Sequence, residues 1–298
     1  MEVKGIIAAM VTPFDEHQKI NEIATKQLVD KLIGAGVSGI FILGTNGEFH
    51  VLSEAEKLDF AKIVIEHVRK RVPVYVGTGG NSTTEVISLS RKMKQLGADA
   101  LSVITPYFVP PTQKELIAHY KTVAESVEAP IILYNIPKNT GVNMDANTVK
   151  ELAQVKNIIG IKDSSGKLEN IEGYIQASKE EDFAVLSGSD SLILKALKAG
   201  AAGAIAATAN LITDLDVSIY ENYVKGDLDS AEKAQENIEA LRAVLKLGTV
   251  PSVLKKTVEL SGIPVGSARP PVSEPDDTTI DKIKEMLKYY GIEEADYA

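Results

Sequence analysis

Apolar residues along the chain gather in eight short runs, at residues 5–11, 39–43, 72–76, 100–104, 130–134, 158–161, 183–186 and 203–207. The runs are rich in Ile and Val and do not alternate with polar residues, which is the pattern of parallel strands buried on both faces. The stretches between them read as amphipathic helices. Ser53-Glu54-Ala55-Glu56 is a capping box, in which the serine accepts from one free backbone N–H and the glutamate returns to another. Leu58, Ala61, Ile65 and Val68 follow it as one helical stripe. Ser82-Thr83-Thr84-Glu85 precedes Val86, Leu89, Met93 and Leu96 in the same way, and Thr112-Gln113-Lys114-Glu115 precedes Leu116, Tyr120 and Val123. Three segments repeat one join of helix end, glycine break and strand: Gly34-Ala35-Gly36 into Gly39, Leu96-Gly97-Ala98 into Ala100, and Ala199-Gly200-Ala201 into Gly203. Glycine suits the left-handed residue that ends a helix.

Eight strand–helix units over about 225 residues match the number that closes a (β/α)8 barrel. The alternative is an open doubly wound sheet, but no Gly-x-Gly-x-x-Gly turn follows the first run. Beyond residue 230 the pattern is helical only, at 231–247, 250–260 and 279–290, with a Pro-rich loop at 264–275. The expected organisation is an α/β protein: a (β/α)8 TIM barrel over 1–225 and a C-terminal helical extension, 226–298, packed on it.

Composition narrows the chemistry. The chain has 298 residues and no cysteine, so disulfides, thiolate metal sites and a cysteine nucleophile are excluded. The net charge is −9, which makes nucleic acid a poor partner because phosphate binding needs a basic surface. Residues 1–10 lack a basic start followed by a long apolar run, and no stretch approaches the ~18–20 apolar residues of a membrane span. No membrane partner and a cytoplasmic location are expected. Of the four histidines, His17, His50, His67 and His119, no two have the i, i+4 spacing of a helical zinc pair, and Gly-x-Ser-x-Gly is absent. Neither a metal nor another cofactor is expected.

In such barrels chemistry collects at the C-terminal ends of the strands. Those ends carry Gly44-Thr45-Asn46-Gly47-Glu48, Gly77-Thr78-Gly79-Gly80, Thr105-Pro106-Tyr107, Tyr134-Asn135-Ile136-Pro137, Lys162-Asp163 and Ser187-Gly188-Ser189-Asp190. Lys162 follows an apolar strand. Desolvation disfavours a charged ammonium, and a free amine there attacks a ketone to give an iminium, an electron sink. The plain alternative is a strand-end lysine reaching to solvent. Tyr134 ends the neighbouring strand, ~4.8 Å away in such a sheet, where a phenol can shuttle protons; alternatively it only packs at the rim. The backbone amides and hydroxyl of Thr45-Asn46-Gly47 suit a carboxylate, or the glycines serve only a turn. The 77–80 glycines are read as structural, since the Walker lysine is missing.

Together these residues resemble the dihydrodipicolinate synthase / N-acetylneuraminate lyase family, the pyruvate-dependent class I aldolases, over nearly the whole chain. Gly44-Thr45-Asn46-Gly47-Glu48 is similar to that family's carboxylate-binding turn, Tyr134-Asn135-Ile136-Pro137 with Thr140-Gly141 to its catalytic-tyrosine segment, and Ile158-Ile159-Gly160-Ile161-Lys162-Asp163-Ser164 to its Schiff-base segment. The resemblance implies Lys162 and Tyr134 as catalytic residues, pyruvate held as an imine with its carboxylate on Thr45, Asn46 and Gly47, and a homotetramer built as a dimer of dimers.

Three positions depart from the dihydrodipicolinate synthases. Asn46 stands where they carry a second threonine, Phe108 beside Tyr107 where a partner-subunit tyrosine enters a hydroxyl relay, and Asn139 where an arginine holds the semialdehyde carboxylate. An amide cannot replace a bidentate guanidinium without losing its charge. Glu48-Phe49, Arg71-Val72-Pro73 and the 77–80 turn resemble instead the 2-keto-3-deoxy sugar-acid aldolases. The expected reaction is therefore reversible cleavage of such an acid to pyruvate and an aldehyde, with Tyr107, Asn139, Gly188, Asp190 and Ala207 facing the variable end. Asp190 otherwise reads as a helix N-cap. The alternatives are 4-hydroxy-tetrahydrodipicolinate synthase, a dehydratase using the same imine, and a non-catalytic barrel that binds 2-oxo acids.

Overall fold

In the computed structural model, residues 1–295 are described. Eight parallel strands close into a barrel in sequence order: β1 Gly5–Ala9, β2 Gly39–Ile42, β3 Val74–Gly77, β4 Ala100–Ile104, β5 Ile131–Asn135, β6 Ile158–Asp163, β7 Ala184–Ser187 and β8 Gly203–Ala206. The helices are α1 Glu22–Gly34, α2 Glu54–Val68, α3 Thr83–Leu96, α4 Gln113–Ser126, a short α5 Pro137–Thr140, α6 Ala146–Ala153, α7 Leu168–Ser178, α8 Ile193–Ala199, α9 Ala209–Lys225, α10 Leu228–Asn237, α11 Glu239–Leu245, α12 Ser252–Leu260 and α13 Asp277–Tyr289.

Capping begins the helices where the sequence predicts it. Ser53 and Thr112 form complete reciprocal boxes with Glu56 and Glu115. Ser82 caps α3 by accepting from the Glu85 amide. Gly97 and Gly200 end α3 and α8 in the left-handed conformation that only glycine adopts without strain.

Two apolar layers result. Ile7, Ala9, Phe41, Tyr75, Ala100, Ile132, Leu186 and Ile205 fill the barrel interior, whereas the opposite face of each strand packs under the helices. Because successive side chains alternate, Tyr134 shares the inward parity of Ile132. Its register partner is Lys162, itself paired to Leu186. The strand register thus places the phenol and the amine in one inward layer near the mouth.

Two boundaries differ from expectation. Lys162 lies inside β6 rather than after it, because the parallel ladder with β5 and β7 continues to Asp163. The predicted helix at 231–247 is divided at Ile238 into α10 and α11. Past this break α11 packs on α13 and on the turn that starts at Asp190, while α10 packs on α8 and α9 and α12 packs on α9. Periodicity alone does not reveal such a change of direction. No helix among the described residues is long and apolar enough to cross a membrane.

Candidate active site

Lys162 is 4% exposed. Its Nζ lies 4.2 Å from the Tyr134 ring centroid and 4.8 Å from that of Phe41, and the two rings meet edge to face at 6.3 Å. The amine makes no ion pair among the described residues. It is a desolvated nitrogen held by aromatic faces rather than by a carboxylate, which leaves its reactive end uncommitted. Gly188 comes close on the β7 side: a Cβ there would stand 2.8 Å from Lys162 Cε and 2.1 Å from Ser164 Oγ. A side chain at 188 would displace the lysine.

The Tyr134 hydroxyl lies 3.2 Å from Thr45 Oγ1. The turn that carries Thr45 is bounded by two left-handed residues that are not glycine, Leu43 (φ 56°) and Glu48 (φ 56°). Gly47 is closely packed, since a Cβ would sit 3.0 Å from the Leu43 amide nitrogen. The 77–80 segment supports the same turn from below. A Cβ on Gly77 would stand 2.0 Å from the Leu43 carbonyl oxygen, and one on Gly79 2.4 Å from the Ile104 nitrogen. These glycines permit close backbone packing.

Above the phenol opens a cavity of about 310 Å³ lined by Thr45, Phe49, His50, Ile104, Tyr107, Asn139 and Thr140. Tyr107 is fixed by its amide, which donates to Asn81 Oδ1 at 2.7 Å, and by an edge contact with Phe49. Asn139 lies on α5 with its side chain exposed. Phe108 has a left-handed backbone (φ 74°), is 92% exposed and does not line this cavity.

Beneath β5 and β6 a second layer is committed to structure. The two hydrogens of Asn135 Nδ2 are shared among three acceptors, Asp163 Oδ1 (2.8 Å), Asn143 Oδ1 (2.9 Å) and Tyr174 Oη (3.1 Å). Burial pushes the Asp163 carboxyl up from its ordinary value, opposed by hydrogen bonds from Ser165 and Asn135.

The structure therefore brings Lys162, Tyr134, Thr45 and Gly188 together and sets Tyr107 and Asn139 along the mouth. Asn46 and Gly47 follow Thr45 in the same turn. Asp190 does not stand free. Its carboxylate accepts from the Ala207 amide (3.1 Å) and the Thr208 amide (3.3 Å) and pairs with Arg242 (3.3 Å), at 2% exposure. A carboxylate spent on two amides and a guanidinium is not available to sugar hydroxyls, and Ala207 is engaged through its amide with Asp190. Nor is Asp190 the N-cap: it is the first residue of the 3-10 turn, and Ser189 precedes it without a side-chain cap bond.

Sequence reading missed Phe41, Ser164, Phe49, His50 and Thr140 as neighbours of the site. Strand parity would have found Phe41, which lies one residue before the strand's mouth-side end. The other four lie on turns and on α5, where no period applies.

The model of the dihydrodipicolinate synthetase family matches residues 2–290. The chain belongs to the dihydrodipicolinate synthetase family. A 4-hydroxy-tetrahydrodipicolinate synthase of Methanopyrus kandleri is 38% identical over 98% of this chain and 97% of its own length. The chloride-inhibited dihydrodipicolinate synthase of Acinetobacter baumannii, solved with pyruvate, is similar with a TM-score of 0.94 and 34% identity, covering 98% of this chain and 100% of that one. YagE, a prophage protein of the family from E. coli K12, also solved with pyruvate, has a TM-score of 0.93 and 34% identity, covering 97% and 99%. This dihydrodipicolinate synthetase family member is a carbon–carbon lyase of the Schiff-base type that uses pyruvate.

Proposed function

We propose that Lys162 is the amine that forms the imine with pyruvate, that Tyr134 moves protons during carbinolamine formation and carbon–carbon bond making or breaking, and that the turn of Thr45, Asn46 and Gly47 holds the pyruvate carboxylate. One observation carries this reading: a buried amine without an ion pair among the described residues, 4.2 Å from the ring of a tyrosine whose hydroxyl meets Thr45 at 3.2 Å. Attack of the amine on the ketone and loss of water give an iminium, which takes up the electron pair released when the bond beyond C3 breaks. The phenol, beside both the amine and the turn, gives and takes the protons of those steps. Borohydride added with pyruvate is expected to fix a reduced adduct on Lys162, read by mass spectrometry of the digest. No adduct on folded protein ends this reading.

The aldehyde is a separate question with observations on each side. The names of the relatives favour 4-hydroxy-tetrahydrodipicolinate synthase, in which aspartate semialdehyde meets pyruvate, over the sugar-acid reaction expected from sequence. The mouth favours a neutral, hydroxylated partner: the seven cavity-lining residues include neither arginine nor lysine, and Asn139 occupies the rim. Turnover of pyruvate with aspartate semialdehyde, measured beside a panel of 2-keto-3-deoxy sugar acids, decides between them. If the mouth governs choice, Asn139→Arg raises kcat/KM for the semialdehyde and lowers it for the sugar acid.

We also take 1–225 as the catalytic barrel and 226–298 as its helical extension, and propose that copies of this chain assemble as a homotetramer. The exposed pair Phe108 (92%) and Val109 (71%) beside the mouth supports a contact there. Sedimentation of Phe108→Glu, expected to be smaller than the unaltered protein, tests it.

A further inference from the structure

The extension meets the carboxylate-side turn of the barrel mouth through residues that have no part in the chemistry described so far. Lys255, on α12, is wholly buried (0% exposed). Its Nζ donates to the Thr12 carbonyl (2.9 Å), the Ser267 carbonyl (2.8 Å) and Glu48 Oε1 (3.0 Å). All three ammonium donors are therefore used. The other Glu48 oxygen accepts from the Arg269 amide at 2.8 Å. Thr12 in turn donates from Oγ1 to the Gly47 carbonyl at 2.7 Å. Glu48 and Gly47 are the last two residues of the turn that begins with Thr45. That turn bears two strained left-handed residues, Leu43 and Glu48, and such backbone persists only when its surroundings over-determine it. A buried ion pair is a poor source of stability, because desolvation offsets most of the attraction. What this one supplies is position.

We propose that Lys255, Arg269 and Thr12 are positioning residues for the substrate carboxylate: they lock the turn of Thr45, Asn46 and Gly47 through Glu48 and the Gly47 carbonyl, so that its amides and the Thr45 hydroxyl are aimed before pyruvate arrives. The inference rests on the reading that this turn receives the carboxylate. It makes the helical extension part of the active site, through the Lys255 side chain and the Arg269 amide, each more than 200 residues away from the turn in sequence.

The test is the pyruvate concentration that half-saturates borohydride trapping of Lys162, with a melting curve for each protein. Thr12→Val deletes one hydrogen bond at nearly constant volume and is expected to raise half-saturation about three- to ten-fold, the worth of one buried hydrogen bond. Full trapping at excess pyruvate is retained, and Thr12→Ser restores the unaltered value. The double variant Lys255→Met with Glu48→Gln, which leaves no lone buried charge, raises half-saturation further. A folded Thr12→Val whose melting point falls while half-saturation stays put assigns these residues to the fold alone and overturns the proposal. If the double variant does not fold, the threonine pair still decides. If the unaltered protein forms no adduct at any pyruvate concentration, the parent reading fails and this proposal fails with it. An adduct with normal half-saturation in the variants fails this proposal only.

Discussion

Two buried ionic clusters tie the C-terminal extension to the barrel, one on each side of the mouth, and they differ in what they hold. On the β1–β2 side Lys255 and Glu48 satisfy each other and grip a turn that points toward Tyr134. On the β7–β8 side Arg242 meets Asp190, and Asp190 grips the amides of Ala207 and Thr208. The first cluster leaves Thr45 free to face the cavity. The second uses up the one carboxylate in its strand-end segment that sequence had offered to substrate. Behind it Asp216, fully buried, accepts from Thr208 Oγ1 at 3.0 Å while its other oxygen has no hydrogen-bond partner among the described residues. Burial, and then the nearby Asp190, push the Asp216 carboxyl well above its ordinary range. The lesson is that a polar residue at a strand end is chemical only if the second layer leaves it unspent.

The largest effects should fall on the centre that both clusters frame. Lys162→Ala is expected to abolish the trapped adduct and lower turnover by at least about 10³-fold, read by intact mass and a pyruvate-release assay. Tyr134→Phe keeps the ring beside the amine and removes the hydroxyl that meets Thr45. A loss of about 10²–10⁴ in kcat is expected, with the adduct still forming slowly. An unchanged rate would mean the phenol only packs.

The comparison itself breaks or holds on Arg242→Met. This change removes the guanidinium from Asp190 and is expected to destabilise by about 1–3 kcal/mol in a denaturant melt, yet to leave half-saturation by pyruvate unchanged. A rise in that value like the one expected for Thr12→Val would erase the functional difference between the two sides.

The smallest effects concern pH, and the two clusters are expected to respond in opposite senses. Asp216 binds its proton more tightly folded than unfolded. Its contribution is present below the ordinary value of 3.8 and is lost as pH rises through the raised folded value. Asp216→Asn should therefore gain in melting temperature on the unaltered protein as pH rises from about 4 toward neutrality. Lys255 is pushed down from 10.5 to about 8, chiefly by burial, against the opposing pull of Glu48 and Glu274 and with help from Arg269. Between those two values the unfolded chain holds more protons, so this group's share of stability rises with pH. Lys255→Met in the Glu48→Gln background should remove that rise. Melting curves across the range check both signs.

The sequence alone determined the barrel. Eight apolar runs with no alternation, three capping motifs and the repeated glycine joins permit few arrangements besides a closed parallel sheet, and these features are local enough to be read along the chain. That Lys162 and Tyr134 lie near the mouth-side ends of apolar strands was legible for the same reason, whereas the roles proposed for them came from the family resemblance. Only the tertiary structure decided the rest. Nothing in the order of residues says that Lys255 reaches Glu48, that Arg242 claims Asp190, or that the helix pattern at 231–247 turns at Ile238. Those outcomes depend on which buried charges meet across distant segments. Periodicity and capping record how a segment folds on itself, whereas the pairing of desolvated groups is set by where the whole chain places them.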